Sequence, residues 1–167
     1  MFYNASRFPF TEKLEDKWNT VLAEYQNLKS GTIPYPETDL YLGKWDVFPF
    51  IFLGEIFIDN CKKCPKTWSL LENIPGINTA SFSILRPGTD IGPHTGFSNK
   101  VLRCHLGLVA PSNCLLMVGG QEKEWKEGKT LIFDDTVEHE AYNHNEREDR
   151  VVLLIDINKN EYPHAVS

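Results

Sequence analysis

From Thr79 onward the chain breaks into short apolar runs set apart by turn-forming residues, at 79–86, 101–109, 114–118, 121–125, 130–134, 138–142 and 150–157. Runs of this length and spacing bury one face at a time and turn sharply between, which predicts an all-β sandwich or barrel. Gly119-Gly120 and Glu127-Gly128 sit between runs, where hairpin turns are expected. Upstream the period changes. Leu14, Trp18, Val21, Leu22, Tyr25 and Leu28 share one stripe of a helix over 11–28, with Thr11 as its N-cap. This helix is expected to pack on the sheet. Gly31, Pro34 and Pro36 make 30–38 a loop, and a short helix is expected over 65–73.

A chain of 167 residues is the size of one domain with one sizeable core. The formal charge of −6, with no Lys/Arg block, argues against a nucleic-acid partner. The start, Met1 to Phe10, lacks a charged segment followed by a long apolar one, so no secretory signal is expected. The longest apolar stretch, Val47 to Ile58, contains Pro49 and is broken by Gly54 and Glu55. It falls short of the ~20 apolar residues that span a bilayer. The expected location is therefore cytoplasmic. Cys61 and Cys64 have no second pair or suitable histidine to complete a zinc site, since Cys104 and Cys114 stand alone, and reduced thiols are the expectation.

Chemistry concentrates between residues 83 and 156. Arg103 and His105 are two apart on a strand, so they share one face while Leu102, Cys104, Leu106 and Leu108 share the other. Two polar side chains thus converge on one cavity. Arg150 opens the apolar run Val151 to Ile155, and a guanidinium beside a buried strand needs a carboxylate partner. That partner is either a ligand or a protein residue such as Asp134, Asp135 or Asp156. His94 and His139 are neutral imidazoles of the kind that bind Fe(II) in sites with open positions, where the usual triad reads His-x-Asp/Glu followed by a distant His. The position two after His94 is Gly96 instead. His144 and His164 lie in polar surroundings and are expected to be solvated.

Together, Ser83-Ile-Leu-Arg-Pro-Gly, Pro93-His94-Thr95-Gly96, Arg103-Cys-His105, Asp134-Asp135-Thr-Val-Glu-His139 and Arg150 through Asp156 resemble the aspartyl/asparaginyl β-hydroxylase family of 2-oxoglutarate-dependent dioxygenases. In that family Gly replaces the triad carboxylate. The likeness extends upstream through Trp45 and the Cys61 to Glu72 segment, covering most of 44–157. It implies a double-stranded β-helix, or jelly roll, of cupin type with N-terminal helices packed on the sheet. It further implies His94 and His139 as iron ligands, and Ser83 and Arg150 at the distal carboxylate of 2-oxoglutarate. Arg103 and His105 would flank its iron-bound end, with Trp45 as a pocket wall. Fe(II), 2-oxoglutarate and O2 would serve the hydroxylation of an amino-acid, peptide or small-molecule substrate.

The protein-hydroxylating members of the family carry arginines where this chain has Val101 and, nearest to the other, Leu40. An aspartyl residue in an EGF-like domain is for that reason not the expected substrate. Two rival readings use the same residues. A halogenase would place a halide at the iron position left by Gly96, and a cupin-like binding protein would keep the pocket without turnover.

Overall fold

The computed structural model describes all 167 residues. In chain order its strands and α-helices are β1 (Phe2–Tyr3), α1 (Pro9–Asp16), α2 (Trp18–Gln26), β2 (Ile33–Pro34), β3 (Tyr41–Leu42), β4 (Trp45–Phe52) and β5 (Glu55–Ile56). Then come α3 (Ile58–Lys63), α4 (Pro65–Leu71), β6 (Ile77–Leu85), β7 (Thr89–His94), β8 (Val101–Val109) and β9 (Cys114–Val118). The chain ends with β10 (Gln121–Lys123), β11 (Thr130–Phe133), β12 (His139–Asn143), β13 (Arg150–Asn158) and α5 (Pro163–Val166). An eight-stranded sheet runs β1-β11-β8-β13-β6-β4-β2, with β5 added beside β4, and a five-stranded sheet runs β10-β9-β12-β7-β3. All pairings are antiparallel. This is the mainly-β jelly roll expected from the sequence.

Alternation along the large sheet sorts its residues into two unlike faces. Phe48, Phe50, Phe82, Ile84, Leu106 and Leu153 belong to one core cluster, which takes in the helices through Leu14, Val21 and Leu71. Val47, Leu85, Val152 and Leu154 join Leu116, Val118 and Ala141 of the small sheet in a second cluster between the sheets. Burying each large aliphatic or aromatic side chain stabilises the fold by roughly 1.5–3 kcal/mol, so both layers hold the sandwich closed.

The N-terminal stripe packs on the sheet as expected, but the segment forms two helices that meet at Lys17 (φ −106°, ψ 10°). Thr11 is not the N-cap. The helix begins at Pro9, where a missing N–H is harmless, and the buried Thr11 hydroxyl donates to the carbonyls of Ala5 and Phe8. Gly119 and Gly120, both at positive φ, turn the β9–β10 hairpin with Val118 opposite Gln121. Gly128 does otherwise: β10 and β11 lie in different sheets, so this turn closes a crossover rather than a hairpin.

Two long strands have no clear sequence signal. β4 contains Pro49, which a central strand tolerates here because the ladder to β6 is bulged between Pro49 and Ile51. β7 has Ile91 as its sole aliphatic residue among Gly92 and Pro93, and is held by pairing with β12 and β3. The 30–38 loop contains the short β2. All four cysteines are free and buried.

Candidate active site

β7 ends at His94 and β12 begins at His139, and the ladder between them sets the two residues opposite one another. Their rings lie 4.2 Å apart, centroid to centroid. Each Nδ1 lies 2.8 Å from a backbone oxygen two residues back, of Gly92 and of Val137. A carbonyl can only accept, so both Nδ1 atoms carry the proton and both Nε2 atoms present a lone pair. The Nε2 of His139 is buried and has no partner. Burial holds this imidazole down to about 4, keeping it neutral.

Across the cleft the polarity reverses. His105 is buried on β8, and its Nδ1 accepts the indole N–H of Trp125 at 3.1 Å. An indole is a donor only, so the proton of neutral His105 sits on Nε2, which has no partner. Burial, followed by Arg150 and Arg103 nearby, lowers the His105 pKa well below the usual range. Ser83 accepts from the Trp45 indole at 2.9 Å and from Arg150 at 3.3 Å. With both lone pairs engaged, its O–H is left to donate.

Arg150 is 2% exposed, yet it forms no ion pair, and its Nε has no partner. None of Asp134, Asp135 and Asp156 pairs with it. Its guanidinium lies 4.5 Å from the face of Trp125, and burial pushes its pKa down to about 9, leaving it charged at neutral pH. Arg103 is the paired one: Asp156 takes Nε and Nη2 at 2.8 Å each, and Asp135 lies 3.7 Å away. The ladder sets Asp156 directly opposite Arg103, so this ion pair is a cross-strand contact.

Ser83, His94, Arg103, His105, His139, Arg150 and Trp45 all line one cleft, walled by Ile91, Leu116, Phe133 and Leu154. Tyr35 stacks on Trp45 at 3.7 Å and fixes that wall. No group of three or more metal-ligating side chains forms. A side chain at Gly96 would strike the Asp135 carboxylate, which is buried with Oδ1 unpartnered and has its pKa raised by burial. His144 is half exposed and pairs with Asp90 at 2.6 Å, away from the cleft.

Sequence reasoning missed Trp125 and the place of Asp135. Asp156 carried a legible signal: it shares the inner face of β13 with Arg150, and its true partner follows from the β8–β13 register.

The model of the Aspartyl/Asparaginyl beta-hydroxylase family matches residues 15–160. The chain belongs to this family. The ornithine lipid ester-linked acyl 2-hydroxylase of Rhizobium tropici is 37% identical over 94% of the chain and 60% of its own length. Aspartate beta-hydroxylase domain-containing protein 2 of Mus musculus is also 37% identical, over 87% of the chain and 47% of its own. The chain thus spans about half the length of these relatives. Among solved structures, a 2OG-Fe(II) oxygenase family oxidoreductase from Burkholderia pseudomallei shares the fold, with TM-score 0.62 at 11% identity over 86% of this chain and 79% of that one. No helix is long and apolar enough to cross a membrane.

Proposed function

We propose that this family member is an Fe(II)- and 2-oxoglutarate-dependent hydroxylase of an unactivated carbon in an amino-acid, peptide or small-molecule substrate. One observation carries the reading. The cleft presents lone pairs at one end, from His94 and His139, and donors with no protein carboxylate at the other, from Arg150 and Ser83. A divalent cation answers the first end and a dicarboxylate the second.

His94 and His139 would hold the iron, each oriented by its Nδ1 hydrogen bond to the backbone. When bound, Fe(II) with 2-oxoglutarate supplies O2 activation coupled to decarboxylation to succinate. The chain does the rest. Arg150 and the Ser83 hydroxyl take the distal carboxylate. His105 Nε2–H donates toward the other end, beside Arg103, whose charge is already balanced by Asp156. The apolar walls around Phe133 and Leu154 exclude water and strengthen each of these contacts.

The relatives' names point to two substrates, a lipid acyl chain and an aspartate. Val101 and Leu40 leave this chain without the arginines associated with an acidic substrate, which favours a substrate other than aspartate. Against the halogenase reading stands the Asp135 carboxylate, which lies beside Gly96 and would repel a halide there.

Anaerobic addition of Fe(II) and 2-oxoglutarate is expected to give a visible charge-transfer band, and oxygen then to release succinate. His94→Ala and His139→Ala each remove a ligand outright and are expected to lower metal affinity by more than the ~10–100-fold that loss of an outer-shell partner costs. Failure of the wild-type protein to form the band or consume 2-oxoglutarate rejects the reading in favour of a non-catalytic binding protein.

A further inference from the structure

Trp125 makes two contacts that nothing else in the cleft duplicates. Its indole N–H donates to His105 Nδ1 at 3.1 Å, and its ring faces the Arg150 guanidinium at 4.5 Å. It is 5% exposed and sits in the crossover from β10 to β11, outside any strand. The crossover can lie against β8 because residue 107 is glycine. Gly107 faces the same way as Arg103 and His105 along the strand, and a Cβ there would collide with the Lys126 carbonyl. Two backbone bonds clamp the segment: Gly107 N–H to the Lys129 oxygen at 3.0 Å, and Gly128 N–H to the Gly107 oxygen at 2.9 Å.

The chemistry of the contact is directional. Because an indole nitrogen only donates, His105 Nδ1 must be the unprotonated nitrogen, and Nε2–H is the free group. His94 and His139 hold the opposite tautomer through their carbonyl partners. Moving the His105 proton to Nδ1 would break the bond to Trp125 and turn a lone pair toward any bound carboxylate, replacing attraction by repulsion. On its other side, the Trp125 ring offers the buried Arg150 cation an electron-rich face where no protein carboxylate is present, so Arg150 keeps its charge free for a ligand.

We infer that Trp125 is a positioning residue for 2-oxoglutarate: it locks His105 in the Nε2–H tautomer and holds Arg150 ready, so that both present donors to a carboxylate-bearing ligand. This role rests on the cosubstrate reading above. Trp125 acts through His105 and Arg150.

Two measurements on the same protein test the role. In the metal-free protein labelled with ¹⁵N-histidine, long-range ring correlations report which nitrogen of His105 carries the proton, with His105→Gln supplying the assignment. Calorimetry on the zinc-loaded protein, which is redox-inert, gives the affinity for 2-oxoglutarate. Wild type is expected to show His105 with Nε2 protonated and Nδ1 not. Trp125→Phe keeps an aromatic face on Arg150 but removes the N–H, so the proton spreads onto Nδ1 and 2-oxoglutarate affinity falls about tenfold. Trp125→Leu removes both contacts and is expected to bind still more weakly.

A His105 protonated on Nδ1 in the wild type overturns the inference without any variant having to fold. So does Trp125→Phe with unchanged tautomer or unchanged affinity. If the tautomer behaves as expected but wild-type protein binds no 2-oxoglutarate, the cosubstrate reading has failed and the role with it, and the intact tautomer shows which part was at fault.

Discussion

The two faces of the large sheet are built from the same strands and obey opposite rules. Toward the helices, β4, β6, β8 and β13 present Phe48, Phe50, Phe82, Leu106 and Leu153, all essentially inaccessible to solvent. Toward the small sheet the same strands present Ser83, Arg103, His105 and Arg150 among apolar neighbours. Five buried side-chain polar atoms lack a partner, and four of them, in His105, Asp135, His139 and Arg150, lie between the two sheets or beside Gly96. A buried unsatisfied polar atom costs roughly 1–3 kcal/mol, so the inner face gives up stability that the helix face supplies.

The contrast breaks most visibly at Phe82, at the centre of the helix-side cluster. Phe82→Ala is expected to lower unfolding free energy by about 3–5 kcal/mol in chemical denaturation, while 2-oxoglutarate affinity holds at temperatures where the variant stays folded. A variant that loses binding before it loses structure would merge the two faces into one.

Acid is the next largest probe, because it reaches the buried His139 that faces the large sheet across the cleft. In the unfolded chain an imidazole takes up its proton near 6.5, whereas burial keeps His139 neutral down to about 4. Between those values the unfolded chain binds the extra proton. Stability of the metal-free protein should therefore be intact above pH 6.5 and fall as pH drops toward 4, by on the order of 3 kcal/mol from His139. Thermal melts across that range check it, and His139→Phe should flatten the slope.

The subtlest comparison is Arg150→Met. Replacing a buried, unpaired cation with an apolar side chain of similar length is expected to leave the melting temperature unchanged or raised. Over the same change, calorimetric affinity for 2-oxoglutarate should fall by about thirtyfold, roughly 2 kcal/mol. A destabilised variant with intact binding would mean that Arg150 serves the fold and not a ligand.

Much of this was legible in the residues. Seven short runs became seven strands within a residue or two at their ends, because turn-forming residues bound each run. The stripe from Leu14 to Leu28 found its sheet. Missing from that reading were β4 and β7, where Pro49 and the Gly92-Pro93 pair disguise strands that exist because partner strands hold them. The single helix over 11–28 also divided at Lys17. Among the site residues, all seven singled out line one cleft, yet which of Arg103 and Arg150 pairs with a protein carboxylate could not be read in advance. One is neutralised by Asp156 and the other is not.

By itself the sequence determined which side chains are chemically capable and which face of each strand they occupy, since a period of two follows from covalent geometry alone. Only the tertiary structure decided who meets whom: His94 with His139 across a ladder, Asp156 with Arg103, the Asp135 carboxylate beside Gly96, and Trp125 between His105 and Arg150. The reason is physical. The tautomers of His94 and His139 are set locally, by carbonyls two residues back, but the partners of His105, Arg103 and Arg150 depend on distances of about 3 Å between residues far apart in the chain, which nothing local specifies.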